Sequence, residues 1–122
     1  MKIVTWNCNM AFRNKASVIL KHQPDILVVQ ECECIDKLHK DIPAANDSLW
    51  FGNNPNKGLG IFSYSNYRFK LRKTYNPRLQ TIIPVSVTGG HFNFTLYAIW
   101  AWNPTDPDGR YVEQIWKALH HY

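Results

Sequence analysis

Two short apolar runs flank an amphipathic stretch near the start of this chain, and each run ends in a polar side chain. Lys2–Trp6 (KIVTW) leads into Asn7, and Asp25–Gln30 (DILVVQ) leads into Glu31. Between them Phe12, Ala16, Ile19 and Leu20 fall at i, i+4, i+7 and i+8, which predicts a helix over Arg13–His22 with one apolar stripe, stopped by Pro24. A strand–helix–strand unit of this size lays its strands side by side and parallel through a right-handed crossover, so both finish at the same sheet edge. Adjacent strands lie about 4.8 Å apart. Asn7 and Glu31 are therefore expected as neighbours at the carboxyl edge, where an amide beside a carboxylate suits a divalent metal and a phosphate. Each also has a plainer reading: Glu31 as the cap of a following helix, Asn7 as an amide that bonds the turn after the first strand.

The remainder reads as strand-rich. Cys34–Asp41 has the look of a short helix stopped by Pro43, Ser48–Gly52 of a brief strand, and Asn53–Gly58 (NNPNKG) of a turn. Leu59–Tyr64 reads as a strand. Tyr67–Thr74 alternates, setting Tyr67, Phe69 and Leu71 against Arg68, Lys70 and Arg72, so one of its faces is basic. Leu79–Thr88 carries Ile83, Val85 and Val87 on one side, and Gly89–Gly90 signals a hairpin into His91–Trp102. Within that run LYAIWAW is apolar on both faces, as in a central, covered strand. After the polar loop Asn103–Arg110, Tyr111–His121 places Val112, Ile115, Trp116 and Leu119 at helical spacing and reaches the last residue without a stop signal.

At 122 residues, 45% of them hydrophobic, the chain supports one modest core and no internal linker. Its formal charge of +5 favours polyanionic partners. No apolar run approaches the roughly 18 residues of a membrane span, and the start lacks the pattern of a secretory signal. Cys8, Cys32 and Cys34 are odd in number and lack CxxC spacing, which suggests neither a disulfide framework nor a structural zinc site and points to a reducing, cytoplasmic setting. His120 and His121 are adjacent on a helix and point in different directions, and His91 reads as surface. Trp100, Trp102 and Trp116 read as core packing, with base stacking as the alternative. The face of Arg68, Lys70 and Arg72 is either a solvated strand surface or a line of phosphate contacts along a polynucleotide.

MKIVTWNCN, PDILVVQE and GLGIFS, in this order and spacing, resemble the endonuclease/exonuclease/phosphatase superfamily, the metal-dependent phosphodiesterases built like deoxyribonuclease I and exonuclease III. The resemblance implies an α+β fold, a DNase I-like four-layer α-β-β-α sandwich, of which residues 1–122 would supply the amino-terminal half as one mixed sheet with its helices. It implies Mg²⁺ or Mn²⁺ as cofactor, Glu31 as a metal ligand and Asn7 beside the scissile phosphate, both catalytic, with nucleic acid or another phosphoester as substrate. The family's GDxN and SDH motifs do not occur here. Where the family has Tyr or His before a proline, WAWNP offers Trp102, whose indole exchanges no proton usefully. Three readings follow: part of a Mg²⁺-dependent nuclease, a phosphatase of lipid headgroups or other phosphoesters on the same fold, or a non-catalytic binding module. A half-sandwich also implies an uncovered sheet face, at Ile83, Val85 and Val87 or the far side of Phe94–Trp102, through which copies would associate.

Overall fold

The computed structural model describes residues 1–38, 42–79, 82–101 and 112–122. Strands β1 (Ile3–Asn7) and β2 (Ile26–Cys32) pair in parallel, in register from Ile3 opposite Ile26 to Asn7 opposite Gln30. Strands β3 (Asp47–Asn54) and β4 (Lys57–Ser63) form an antiparallel hairpin whose β4 also pairs antiparallel with β2, giving the order β1-β2-β4-β3. A second, antiparallel sheet has the order β5-β6-β7, with β5 at Arg68–Leu71, β6 at Ile82–Thr88 and β7 at Phe94–Ile99. Two helices, α1 (Ala16–Leu20) and α2 (Val112–His121), and two 3-10 turns complete the described residues, an α+β fold dominated by its sheets. Among these residues no helix is long and apolar enough to cross a membrane.

Strand alternation creates the layers. Ile26 and Val28 of β2, with Leu59 and Ile61 of β4, pack against Ile83, Val85, Val87 and Ala98 of the second sheet. Leu27 and Val29 point the other way and join Cys32, Phe62, Phe12 and Ala16, with Ile19 and Leu20 at the margin. Phe12 stacks on Phe62 with ring centroids 5.7 Å apart. On the outer side of the second sheet, Tyr122 packs against Tyr97 and its hydroxyl accepts the N–H of Asn76, which holds the end of α2 there.

Several expectations are corrected by this architecture. The described residues build two sheets, not one, and they face each other; Ile83, Val85 and Val87, one of the two faces expected to be uncovered, are buried between them. Strand β7, expected to be central, pairs only with β6 among the described residues, and Tyr97 on its outer face is exposed. Its double-sided apolar character has another cause, because the inner side chains enter the core and Tyr97 meets Tyr122. The helix expected over Arg13–His22 is a 3-10 turn at Phe12–Asn14 followed by the short α1, interrupted at Lys15. The apolar stripe still packs as expected. Only a 3-10 turn, Ile35–Lys37, stands where a helix over Cys34–Asp41 was expected, and residues 39–41 lie outside the described residues. The NNPNKG segment is mostly strand, its tip narrowed to Pro55 and Asn56.

Helix α2 has the expected spacing but not the expected orientation. Val112, Trp116 and Leu119 are exposed, and Ala118 is its buried residue, so Trp116 is not core packing. Trp102 and the Asn103–Arg110 loop lie outside the described residues.

Burial of Ile83 between the sheets sets a testable cost. Truncation in a packed core removes transfer energy and leaves a cavity, so Ile83→Ala should lower unfolding stability in urea by about 2–5 kcal/mol. A loss within the few tenths expected of a surface position would mean that this face is open.

Candidate functional site

The end of β2 departs from regular pairing, and the departure builds the site. Gln30 is opposite Leu59 while Cys32 is opposite the next residue, Gly58, so Glu31 is the extra residue of a β-bulge. Its φ of 61° lies in the left-handed region, which costs a non-glycine residue on the order of 1 kcal/mol. Without the bulge, strict alternation would send Glu31 to the apolar layer of Leu27 and Val29. With it, Cys32 enters that layer and Glu31 turns to the rim.

At the rim Asn7 and Glu31 meet as the sequence predicts. Asn7 Nδ2 donates to Glu31 Oε1 at 3.3 Å, and Asn7 Oδ1 accepts the N–H of Asn9 at 3.0 Å, so the amide is held from both ends. Lys57 Nζ stands 4.0 Å from Glu31 Oε2. Both side chains of this pair are partly in water, 41% exposed for Lys57 and 20% for Glu31, so the attraction is weak and the lysine is free to turn toward another anion. Gln30 is structural: its Nε2 donates to Thr5 Oγ1 at 2.9 Å and to the Ile99 carbonyl at 3.0 Å, tying the two sheets together beside the site.

The loop after β1 is held by an unusual set of bonds. Asn9, Met10 and Ala11 all have positive φ, three left-handed residues in succession and none of them glycine. Lys15 Nζ donates to the carbonyls of Cys8 at 2.7 Å and Asn9 at 3.2 Å. The Glu33 carboxylate, fully buried, accepts the N–H groups of Phe12 and Arg13 at 2.8 Å each and the Arg13 guanidinium at 3.3 Å. Burial pushes the Glu33 pKa up, but these N–H groups and the guanidinium outweigh it and hold the carboxyl below its ordinary value. Burial raises the pKa of Cys8, and burial beside the Glu33 charge raises that of Cys32 further, so both thiols stay protonated and unreactive.

Two residues that matter here were missed from the sequence. Glu33 clamps the turn at Phe12 and Arg13, whereas the turn that follows it, Ile35–Lys37, has no side-chain cap, and the only sequence signal for Glu33 is its place two residues on in QECE. Lys57 sat in what reads as a turn, and Gly58 beside it was the available clue. A Cβ at Gly58 would run into the Trp50 ring and the Phe51 carbonyl, so only glycine lets the hairpin close here. Trp50 Nε1 donates to the Cys32 carbonyl at 3.0 Å, fastening the hairpin to the strand that carries Glu31.

The basic face is not part of this arrangement. Arg68 and Lys70 point outward from edge strand β5, and Arg72 follows it. Arg68 donates to the Asn46 carbonyl at 2.7 Å and Arg72 to Thr95 Oγ1 at 2.9 Å. Asn46 bonds to Ser63, which lies five residues along β4 from Gly58, so Arg68 sits roughly 15 Å along the strands from the Glu31 end. His91 is exposed, as expected, and so are His120 and His121. Among the described residues no three His, Cys, Asp or Glu side chains gather as a ready-made metal cage. No protein-family model matches this chain, and no curated protein matches it.

The Glu33 clamp predicts an acid-sensitive loop. A carboxyl with a lowered folded pKa contributes stability that is complete above its unfolded pKa and is lost as pH falls through the folded one. Glu33→Gln should therefore cost about 1.5–3 kcal/mol near neutral pH. The gap to the parent protein should close as the medium is acidified below the ordinary glutamate pKa, which denaturant melts across pH would show. A gap that is constant or widens in acid would contradict the clamp.

Proposed function

We propose that the Asn7–Glu31 pair is part of the site of a Mg²⁺-dependent phosphodiester hydrolase of the endonuclease/exonuclease/phosphatase kind, acting on nucleic acid. The layering of helix, mixed sheet, antiparallel sheet and the end of a second helix supports reading the fold as a DNase I-like sandwich. The observation that carries the functional reading is Glu31 itself, a carboxylate turned out of an apolar strand by a bulge and held by the Asn7 amide. A site that bears the strain of a left-handed glutamate and a left-handed loop is one where position matters.

The donor set fits a hard cation. Mg²⁺ is commonly bound through one or two carboxylates, with water and substrate phosphate filling the other positions. Glu31, partly open to water and with its second oxygen bonded only to a loosely placed lysine, meets that requirement. Bound there, the ion would polarise a phosphoryl oxygen and steady the leaving group. Asn7 orients the carboxylate and presents its N–H beside the place a phosphate would take. Lys57 adds positive charge on the other side, and Gln30 keeps the two sheets from sliding beneath it. A group to activate the attacking water is not among the described residues gathered here. A binding module without turnover is the second reading, and the single carboxylate is what favours it.

Glu31→Gln keeps the shape and removes the charge. It should lower Mg²⁺-dependent hydrolysis of oligonucleotides by roughly 100-fold or more, and Asn7→Ala, which releases the carboxylate, by roughly 10- to 100-fold. Thermal melting should change little for Glu31→Gln. An active Glu31→Gln protein would sink the assignment, and a parent protein that binds oligonucleotides without cleaving them would select the binding module.

A further inference from the structure

A cleft of about 530 Å³ lies between the β3–β4 hairpin, the Tyr75–Pro77 segment and Trp100, which follows β7, and Lys57, the neighbour of Glu31, is part of its wall. That volume is in the ordinary range of small-molecule sites, about 300–1,000 Å³. Its walls include Phe51, Asn54, Lys57, Tyr75, Pro77 and Trp100. Phe51, Tyr75 and Trp100 are only half-buried, although all three pack at the margin of the inter-sheet core. Phe51 and Tyr75 meet at a ring separation of 5.9 Å with a tilt of 56°, and so are splayed, not stacked flat on each other.

Lys57 joins this cleft to the carboxylate. Its Nζ is 4.0 Å from Glu31 Oε2 and 5.8 Å from the centre of the Trp100 ring, within the range of a cation–π contact. One ammonium group therefore stands between the acidic rim and an aromatic wall. The ligand chemistry follows from that sequence of groups. Aromatic walls accept a planar ring, amide side chains at the hairpin tip can meet its polar edge, and a lysine at the mouth attracts an attached phosphate.

We infer that the cleft lined by Phe51, Tyr75 and Trp100 takes one unpaired nucleobase of the substrate, with Lys57 directing its phosphate toward Glu31. This rests on the hydrolase reading for the identity of the phosphate, and it narrows the substrate class. A base in this cleft is out of its stack, so single strands, ends and unpaired nucleotides are preferred over continuous duplex. Recognition is through the flat face that all bases share, so sequence preference is weak.

The test uses small probes on the protein, with binding and hydrolysis read separately. Adenosine, AMP and ribose 5-phosphate are titrated without metal while the tryptophan indole N–H and tyrosine ring NMR signals are followed. Adenosine and AMP should shift the Trp100 and Tyr75 signals and give intermolecular nuclear Overhauser effects from base protons to both rings; ribose 5-phosphate should not. Trp100→Ala should weaken AMP roughly 5- to 150-fold, the span that base–aromatic stacking provides. Lys57→Ala should weaken AMP by a larger factor than it weakens adenosine, because only AMP carries the phosphate that the lysine attracts. The Overhauser contacts in the unaltered protein keep the test decisive if Trp100→Ala is poorly folded. Adenosine that binds elsewhere or not at all overturns the base site, whatever the outcome of the Glu31→Gln assay. Base contacts in the cleft together with an active Glu31→Gln protein would keep the base site and overturn the role of Glu31, whereas base contacts with no cleavage by the unaltered protein would keep the base site and overturn the hydrolase reading.

Discussion

Strand β2 is the element on which the rest depends, because it is buried on both faces. Ile26 and Val28 enter the core between the sheets, while Leu27 and Val29 enter the core beneath Phe12 and α1. Both layers therefore take their position from one strand, flanked by β1 on one side and β4 on the other. Along Ile26–Val29 this strand has no solvent face on which to carry a polar residue. Its polar end must leave the pattern, and the bulge at Glu31 is how it does so.

The bulge also separates two glutamates that look equivalent in the sequence. Glu31 is at the rim, with one oxygen on Asn7 and the other near Lys57. Glu33, two residues later, is fully buried and spends its charge on the backbone of Phe12 and Arg13. The second makes the first possible. The loop that follows Asn7 passes through three left-handed residues, a conformation without intrinsic support, and Glu33, Lys15 and the Asn7 amide together offset its strain. A buried charge fully met by hydrogen-bond donors is a rigid support, whereas a carboxylate left partly in water can accept a ligand.

The hairpin of β3 and β4 contributes from the opposite direction. Gly58 leaves room for the Trp50 ring, and Trp50 bonds to the Cys32 carbonyl, so the hairpin tip is anchored to the strand it must face. That anchoring brings Lys57 to the carboxylate and Phe51 to the edge where Trp100 stands just after β7. Chemistry at this edge is therefore assembled from β1, β2, β4 and the end of β7, elements that are far apart in the chain.

Local pattern determined a good deal of this protein. The short apolar runs specify β1 and β2, their polar ends predict that Asn7 and Glu31 meet, and the stripe of Phe12, Ala16, Ile19 and Leu20 finds its core. Those are consequences of side-chain periodicity, which needs no partner to be read. The tertiary structure decided what periodicity cannot express. Whether Ile83, Val85 and Val87 face water or another sheet depends on which surface arrives opposite them, and the N–H groups of Phe12 and Arg13, ahead of α1, are taken by Glu33 from a distant part of the chain. Which way the apolar spacing of α2 points is seen in the burial of Ala118 and the packing of Tyr122 on Tyr97, with Trp116 left exposed. The bulge that turns Glu31 outward and leaves Glu33 inside exists because β4 pairs with β2 out of step by one residue, and a single chain segment carries no record of its neighbour's register.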